Sequence, residues 1–136
     1  MKKAILSLAL ALPVALSFMS NADAATLDSE SKKIYVNGSS WDSGLGESRI
    51  YDNSSGTVYA LGATTYVGSS SVYVKIEAGV GGNYLPPAYQ STTNDSISIA
   101  KSLGPKDYTN PMHVYSTHKI YKNGTLAGSA NTSASW

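Results

Sequence analysis

The 136-residue chain contains no cysteine. No disulfide can staple it, although an exported protein could carry one, and no thiolate can ligate a metal. Phenylalanine occurs once and histidine twice. His113 and His118 lie an odd number of positions apart, so an extended strand would send them to opposite faces. They cannot readily share one metal ion. Charge is scarce too: Asp, Glu, Lys and Arg together make up 14% of residues, with 10 basic against 9 acidic. No basic excess is left to attract nucleic acid or an anionic membrane. Helical periodicity is also missing. No window keeps apolar residues at i, i+3, i+4 and i+7, because Gly, Ser and Thr interrupt every candidate. A domain without staples must rest on its apolar core, and such domains keep only ~0.05–0.15 kcal/mol of net stability per residue.

The N-terminus carries the clearest positive signal. Lys2 and Lys3 precede an apolar run from Ala4 to Phe18 that only Ser7, Pro13 and Ser17 interrupt. Ala22-Asp23-Ala24 then fits the small-x-small rule for cleavage after Ala24. The run is shorter than the ~20 residues that cross a bilayer, and no second candidate span follows. Residues 1–24 are expected to be a bacterial signal peptide and residues 25–136 a single secreted domain. That domain would be extracellular, or periplasmic where the source has an outer membrane, with no stable membrane insertion. Without Lys2, Lys3 and Asp23 its basic and acidic side chains balance.

Period-two alternation recurs through the rest of the chain. It predicts strands over residues 33–37, 48–52, 57–67, 71–78, 96–102, 112–122 and 125–130. Asn37-Gly38 and Asn123-Gly124 suit tight turns, since both residue types tolerate positive φ. "NSSG" (53–56) and "GSSS" (68–71) are expected hairpin tips. "GVGGNYLPPAYQ" (79–90) is predicted to be a long loop, and Pro86-Pro87 excludes a central strand there. "GPKDYTNP" (104–111) is a second predicted loop. The expected fold is all-β: an antiparallel β-sandwich, Ig-like or similar, of about seven strands.

Tyrosine follows Ile or Val at Ile34-Tyr35, Ile50-Tyr51, Val58-Tyr59, Val72-Tyr73, Val114-Tyr115 and Ile120-Tyr121. In a strand such a dipeptide sends one side chain to each face. Val72, Val74, Ile76 and Ala78 should point inward, leaving Tyr73 and Lys75 outside. Met112, Val114, Ser116, His118 and Ile120 should likewise point inward. His113, Tyr115, Thr117, Lys119 and Tyr121 should point outward. Outward tyrosines can be ordinary strand chemistry, with rings stacked across strands and hydroxyls in water. They can also align into an aromatic platform for a ligand. Tyr84 and Tyr89 in the proline-containing segment, and Trp41 in a Gly/Ser-rich one, add further aromatic contact area. The candidate ligand-binding residues are Tyr73, Tyr115, Tyr121, Tyr84, Tyr89 and Trp41. His118 is expected to be partly buried and hydrogen-bonded near a sheet edge.

Catalytic constellations are poorly supported. There is no GxSxG elbow, and the best base–acid pair, His118 with Asp107 or Asp95, has no motif behind it. Glu47 and Glu77, considered as a carboxylate pair for glycoside hydrolysis, fall in hairpin-like segments with no aromatic cleft sequence around them. Asp28, Glu30, Asp42, Glu47, Asp52 and Asp95 do not follow the spacing of a calcium loop. No catalytic residue, metal or cofactor is expected. The predicted function is non-enzymatic binding of a carbohydrate or protein partner at or outside the cell surface. The alternatives are a bacteriocin-like effector or inhibitor, and a matrix protein that self-assembles through strand edges.

Overall fold

The structure is a computed structural model that describes residues 24–68 and 70–136. The expected leader therefore lies outside the described residues, apart from Ala24. The described residues form strands and no helix: β1 (Ala25–Tyr35), β2 (Ser43–Asp52), β3 (Thr57–Thr65), β4 (Ser71–Val80), β5 (Asn83–Tyr84), β6 (Ala88–Thr92), β7 (Ser96–Pro105), β8 (Met112–Lys122) and β9 (Thr125–Ser135). Sheet A has the order β1-β2-β3-β7, and sheet B the order β5-β4-β8-β9 with β6 also paired to β4. Every pairing is antiparallel. The two sheets pack face to face, an architecture compatible with a β-sandwich.

Each strand expected from periodicity is present. Asn123 and Gly124 adopt φ of 51° and 74°, the left-handed pair that a two-residue hairpin turn between β8 and β9 requires. Several strands differ in extent: β1 begins at Ala25 and stops at Tyr35, and β2 begins at Ser43. The segment 68–71 is not a hairpin tip as expected, because β3 and β4 belong to different sheets. The segment 79–90 is not one long loop. β4 continues to Val80, the chain turns back at Gly81 (φ 59°), and β5 and β6 then pair along the outer side of β4. Pro86-Pro87 falls between these two short edge pieces, where missing ladder donors cost nothing. β9 runs on through the Ser/Asn-rich stretch to Ser135, because every residue from Gly128 to Ser135 finds a partner on β8.

The interior follows the predicted alternation. Ile50, Val58 and Ala60 from sheet A meet Val74, Ile76, Ala78, Met112 and Val114 from sheet B in one cluster. Ile34, Val36, Tyr66, Val72 and Ile120 form a second cluster toward the other end. Each fully buried aliphatic side chain contributes ~1.5–3 kcal/mol relative to exposure. A belt of polar groups lies between the clusters. Ser48 Oγ is 2.6 Å from both Ser116 Oγ and Thr132 Oγ1. His118 Nε2 is 2.7 Å from Thr132 Oγ1, and its Nδ1 is 2.8 Å from Thr64 Oγ1. Buried polar groups persist where they find such partners.

His118 is thus hydrogen-bonded as expected but misplaced by the sequence reading. It is fully buried, on a strand flanked by β4 and β9, and not at a sheet edge. Burial pushes its pKa down to about 4. Two glycines make room for the belt. A Cβ at Gly46 would run into the His118 ring, and one at Gly62 would meet Ile76 and sit 2.8 Å from Ser116 Oγ.

The outward faces differ from each other. On sheet A, Leu61 is 0% exposed, Ala63 4% and Tyr51 7%, and they cluster with Tyr59 and Ala24. Tyr51 and Tyr59 stack with centroids 5.4 Å apart. Glu47 and Arg49 form a buried ion pair on the same face. Outward tyrosines were expected to meet water, and here Tyr51, stacked on Tyr59 beside Leu61 and Ala63, does not.

One seam between the sheets is closed by side chains. Along β9, Ser133 N donates to Glu30 Oε2 (2.8 Å) and Ser135 N to Asp28 Oδ2 (2.8 Å). Lys32 Nζ donates to the Asn131 carbonyl at 3.0 Å. These β1 side chains occupy ladder groups that a foreign strand would otherwise use.

Candidate functional site: an aromatic face on sheet B

The strand register assembles the site. Tyr73, Lys75 and Glu77 of β4 lie opposite Lys119, Thr117 and Tyr115 of β8, and Ser71 lies opposite Tyr121. On the other side of β4, Lys75 faces Tyr89 of β6, and Gly79 faces Tyr84 of β5. Tyr73, Tyr84, Tyr89, Tyr115 and Tyr121 therefore share the outer face of sheet B. Adding β5 and β6 to the sheet is what recruits Tyr84 and Tyr89, which a loop would have left unplaced.

Two aromatic patches result. Tyr73 stacks on Tyr89 at 6.4 Å, and Lys119 Nζ lies 5.3 Å from the Tyr73 ring centroid. Tyr84 tilts over His113 at 4.8 Å, and His113 approaches Tyr115 at 5.6 Å. Tyr84, Tyr89 and Tyr115 are 60%, 69% and 50% exposed. The Lys75–Glu77 ion pair (2.9 Å) runs along the face and raises the lysine's pKa through the hydrogen bond to Glu77. Beside Tyr115 lies a groove of about 460 Å³ lined by Glu30, Glu77, Thr117, Asn131 and Ser133. Its size falls within the ~300–1,000 Å³ of small-molecule sites. The groove offers hydroxyl, amide and carboxylate groups next to an aromatic ring.

Trp41 does not join this face. It sits on the connection between β1 and β2, 56% exposed, and makes no ring contact with the platform tyrosines.

The other sequence candidates are not brought together. His118 is held by two threonine hydroxyls, while Asp107 accepts hydrogen bonds from Thr109 and Asn110 within its own loop. Glu47 and Glu77 lie on the outer faces of different sheets. Among the described residues, no three His, Cys, Asp or Glu side chains converge on a point where a cation could bind.

A second aromatic cluster escaped the sequence reading. Tyr108, 82% exposed, meets Trp136 edge-to-face at 5.5 Å. Together with Asp107, Thr109, Asn110 and Pro111 they line a notch of about 240 Å³. Nothing local in the sequence joins residues 108 and 136. The join depends on β9 staying paired with β8, which sets Trp136 against Met112 through two backbone hydrogen bonds of 2.8 Å. The one legible signal was Asp107 ahead of Thr109 and Asn110, a pattern suited to a side-chain-capped turn.

Fold and face together define a class: an all-β, two-sheet domain with one half-exposed aromatic face. No protein-family model, no curated protein and no solved structure matches this chain.

Proposed function

We propose that this chain is an exported bacterial β-sandwich protein that acts without catalysis, binding a glycan at or outside the cell surface through the outer face of sheet B. The observation that carries this reading is the convergence of Tyr73, Tyr84, Tyr89, Tyr115 and Tyr121 on that one face, beside the groove at Tyr115. Tyrosine rings present flat C–H-accepting faces to a sugar, and their hydroxyls hydrogen-bond its rim. Thr117, Asn131 and Ser133 supply the neutral polar contacts that orient a small ligand in a groove. The export half of the reading rests on Lys2-Lys3, the apolar run and the Ala22-Asp23-Ala24 site.

The test is a glycan array and a cell-wall pull-down with the processed chain, beside a Tyr73→Ala/Tyr89→Ala/Tyr115→Ala variant. Retention of a glycan by the parent chain and at least tenfold weaker retention by the variant, with unchanged circular dichroism, are expected. Capture of proteins alone by the same face would replace the glycan with a protein partner. Equal retention by both chains would remove sheet B from the reading. N-terminal sequencing of the secreted product should begin at Ala25.

A further inference from the structure

We infer that the notch between Tyr108 and Trp136 is a second binding subsite, shaped for one neutral sugar ring. The inference rests on the glycan-binding reading but concerns residues outside the sheet B face. Tyr108 and Trp136 meet at an interplanar angle of 66°, so the two rings form a corner. A flat saturated ring bearing hydroxyl groups fits such a corner, because its C–H face lies on one ring while its edge meets the other.

The corner is held in place before any ligand arrives. Trp136 N donates to the Met112 carbonyl and Met112 N to the Trp136 carbonyl, both at 2.8 Å. Asp107 Oδ1 accepts from Thr109 N (2.8 Å), Thr109 Oγ1 (2.8 Å) and Asn110 N (2.9 Å), and its Oδ2 accepts from Asn110 Nδ2 (3.1 Å). Those donors, the Thr109 hydroxyl foremost, hold the carboxyl far below the usual carboxylate range. Gly81 N donates to the Pro111 carbonyl at 2.8 Å, which ties the same loop to the β4–β5 hairpin. A site ordered in advance loses less entropy on binding.

Charge selects the ligand. Both oxygens of Asp107 are already occupied by the loop's own donors. Lys106 Nζ stands 5.7 Å from the Trp136 ring centroid, but it is bound to Asp52 Oδ2 at 2.6 Å. Among the described residues, each charged side chain at the notch already has its partner, Asp107 in its own loop and Lys106 in Asp52, so neither is free to pair with an ionic ligand. Three neutral atoms remain without a hydrogen bond among the described residues: the Tyr108 hydroxyl, the Trp136 indole N–H and Asn110 Oδ1. They comprise one group that both donates and accepts, one donor and one acceptor, a set that hydroxyls on a neutral ring satisfy.

The experiment uses Trp136 as its own reporter. The chain has two tryptophans, so a Trp41→Phe background leaves Trp136 as the sole indole. N-acetylchitohexaose and cellohexaose serve as neutral probes and a heparin hexasaccharide as the charged one, followed by fluorescence and calorimetry. A saturable change in Trp136 emission with a neutral probe is expected, along with about five- to tenfold weaker binding in Tyr108→Ala. The Tyr108 ring is so exposed that its removal should leave folding intact, and circular dichroism checks this. Calorimetric binding of a neutral probe with unmoved Trp136 emission and an unaffected Tyr108→Ala variant would overturn the subsite and leave the sheet B reading standing. Preference for the heparin probe at Trp136 would overturn the assignment of a neutral ligand. If neither neutral probe nor any array glycan binds, the subsite and the sheet B reading fail together.

Discussion

Tyr51 and Tyr73 each follow a core aliphatic residue, each point away from the interior, and end in different surroundings. Tyr51, 7% exposed, is stacked on Tyr59 beside Leu61 and Ala63. Burial raises the pKa of its phenol. Tyr73 lies half-buried between Tyr89 and Lys119. Alternation along a strand decides only which side of the sheet a residue takes. Whether that side is dry depends on what packs beside and over it. β3 brings Leu61 and Ala63 to the sheet A face, and β8 brings Thr117 and Lys119 to the sheet B face. One face thus resembles a core, and the other is a surface on which aromatic rings remain accessible.

The sharpest way to break this contrast is to put the same charge on both faces. In the full chain, Leu61→Lys should lose about 3–5 kcal/mol, because a buried ammonium would sit directly opposite Arg49, whose carboxylate Glu47 is already paired. Thr117→Lys, outward on sheet B, should stay within about 0.5 kcal/mol. Urea unfolding of the two variants measures this, and equal midpoints would erase the distinction.

Acid offers the next test, by asking whether the polarity tolerated on sheet B's outer face is tolerated between the sheets. An unfolded histidine takes up its proton near pH ~6.5, whereas folded His118 resists until about 4. Within that window the unfolded chain binds more protons, so stability is full above pH ~6.5 and falls as the pH drops through it. The loss should reach about 3 kcal/mol by pH ~4. In His118→Gln, a plot of unfolding free energy against pH should lose most of this slope.

Removing one ring from each face comes third. Tyr51→Ala should cost about 2–4 kcal/mol, as emptying a packed aromatic site does. Tyr73→Ala should cost about 1 kcal/mol or less and act on ligand retention instead. Thermal melts run beside binding assays separate the two outcomes, and a larger melting shift in Tyr73→Ala would reverse the comparison.

The smallest effect on folding belongs to the seam where the two sheets meet. Asp28→Ala/Glu30→Ala removes the carboxylates that occupy Ser135 N and Ser133 N. Melting should barely move, while the uncovered β9 edge should drive concentration-dependent association visible on size exclusion. A strictly monomeric double variant would mean that those carboxylates do not guard the edge.

Much of this architecture can be read in the chain itself. The Ile/Val-Tyr dipeptides and the run Val72, Val74, Ile76, Ala78 announce strands and their inner faces. Asn123-Gly124 announces its turn, since few residue pairs adopt two consecutive positive φ values at little cost. The platform tyrosines of β4 and β8 were legible for the same reason. Tyr84 and Tyr89 could be nominated as aromatic but not placed, because their strand character comes from pairing with β4. Ser129 to Ser135 carries weak strand propensity and becomes strand by lying along β8.

Side-chain alternation and turn geometry are local properties, set within a few bonds, and the order of residues along the chain displays them. The rest depends on contacts between residues far apart in the chain. His118 is interior because β9 covers its flank and Gly46 vacates the space above its ring. Leu61 is dry and Thr117 half-wet although both point outward, and Tyr108 meets Trp136 only once β9 is seated. No local pattern encodes these outcomes, since each depends on which strands become neighbours and in what register.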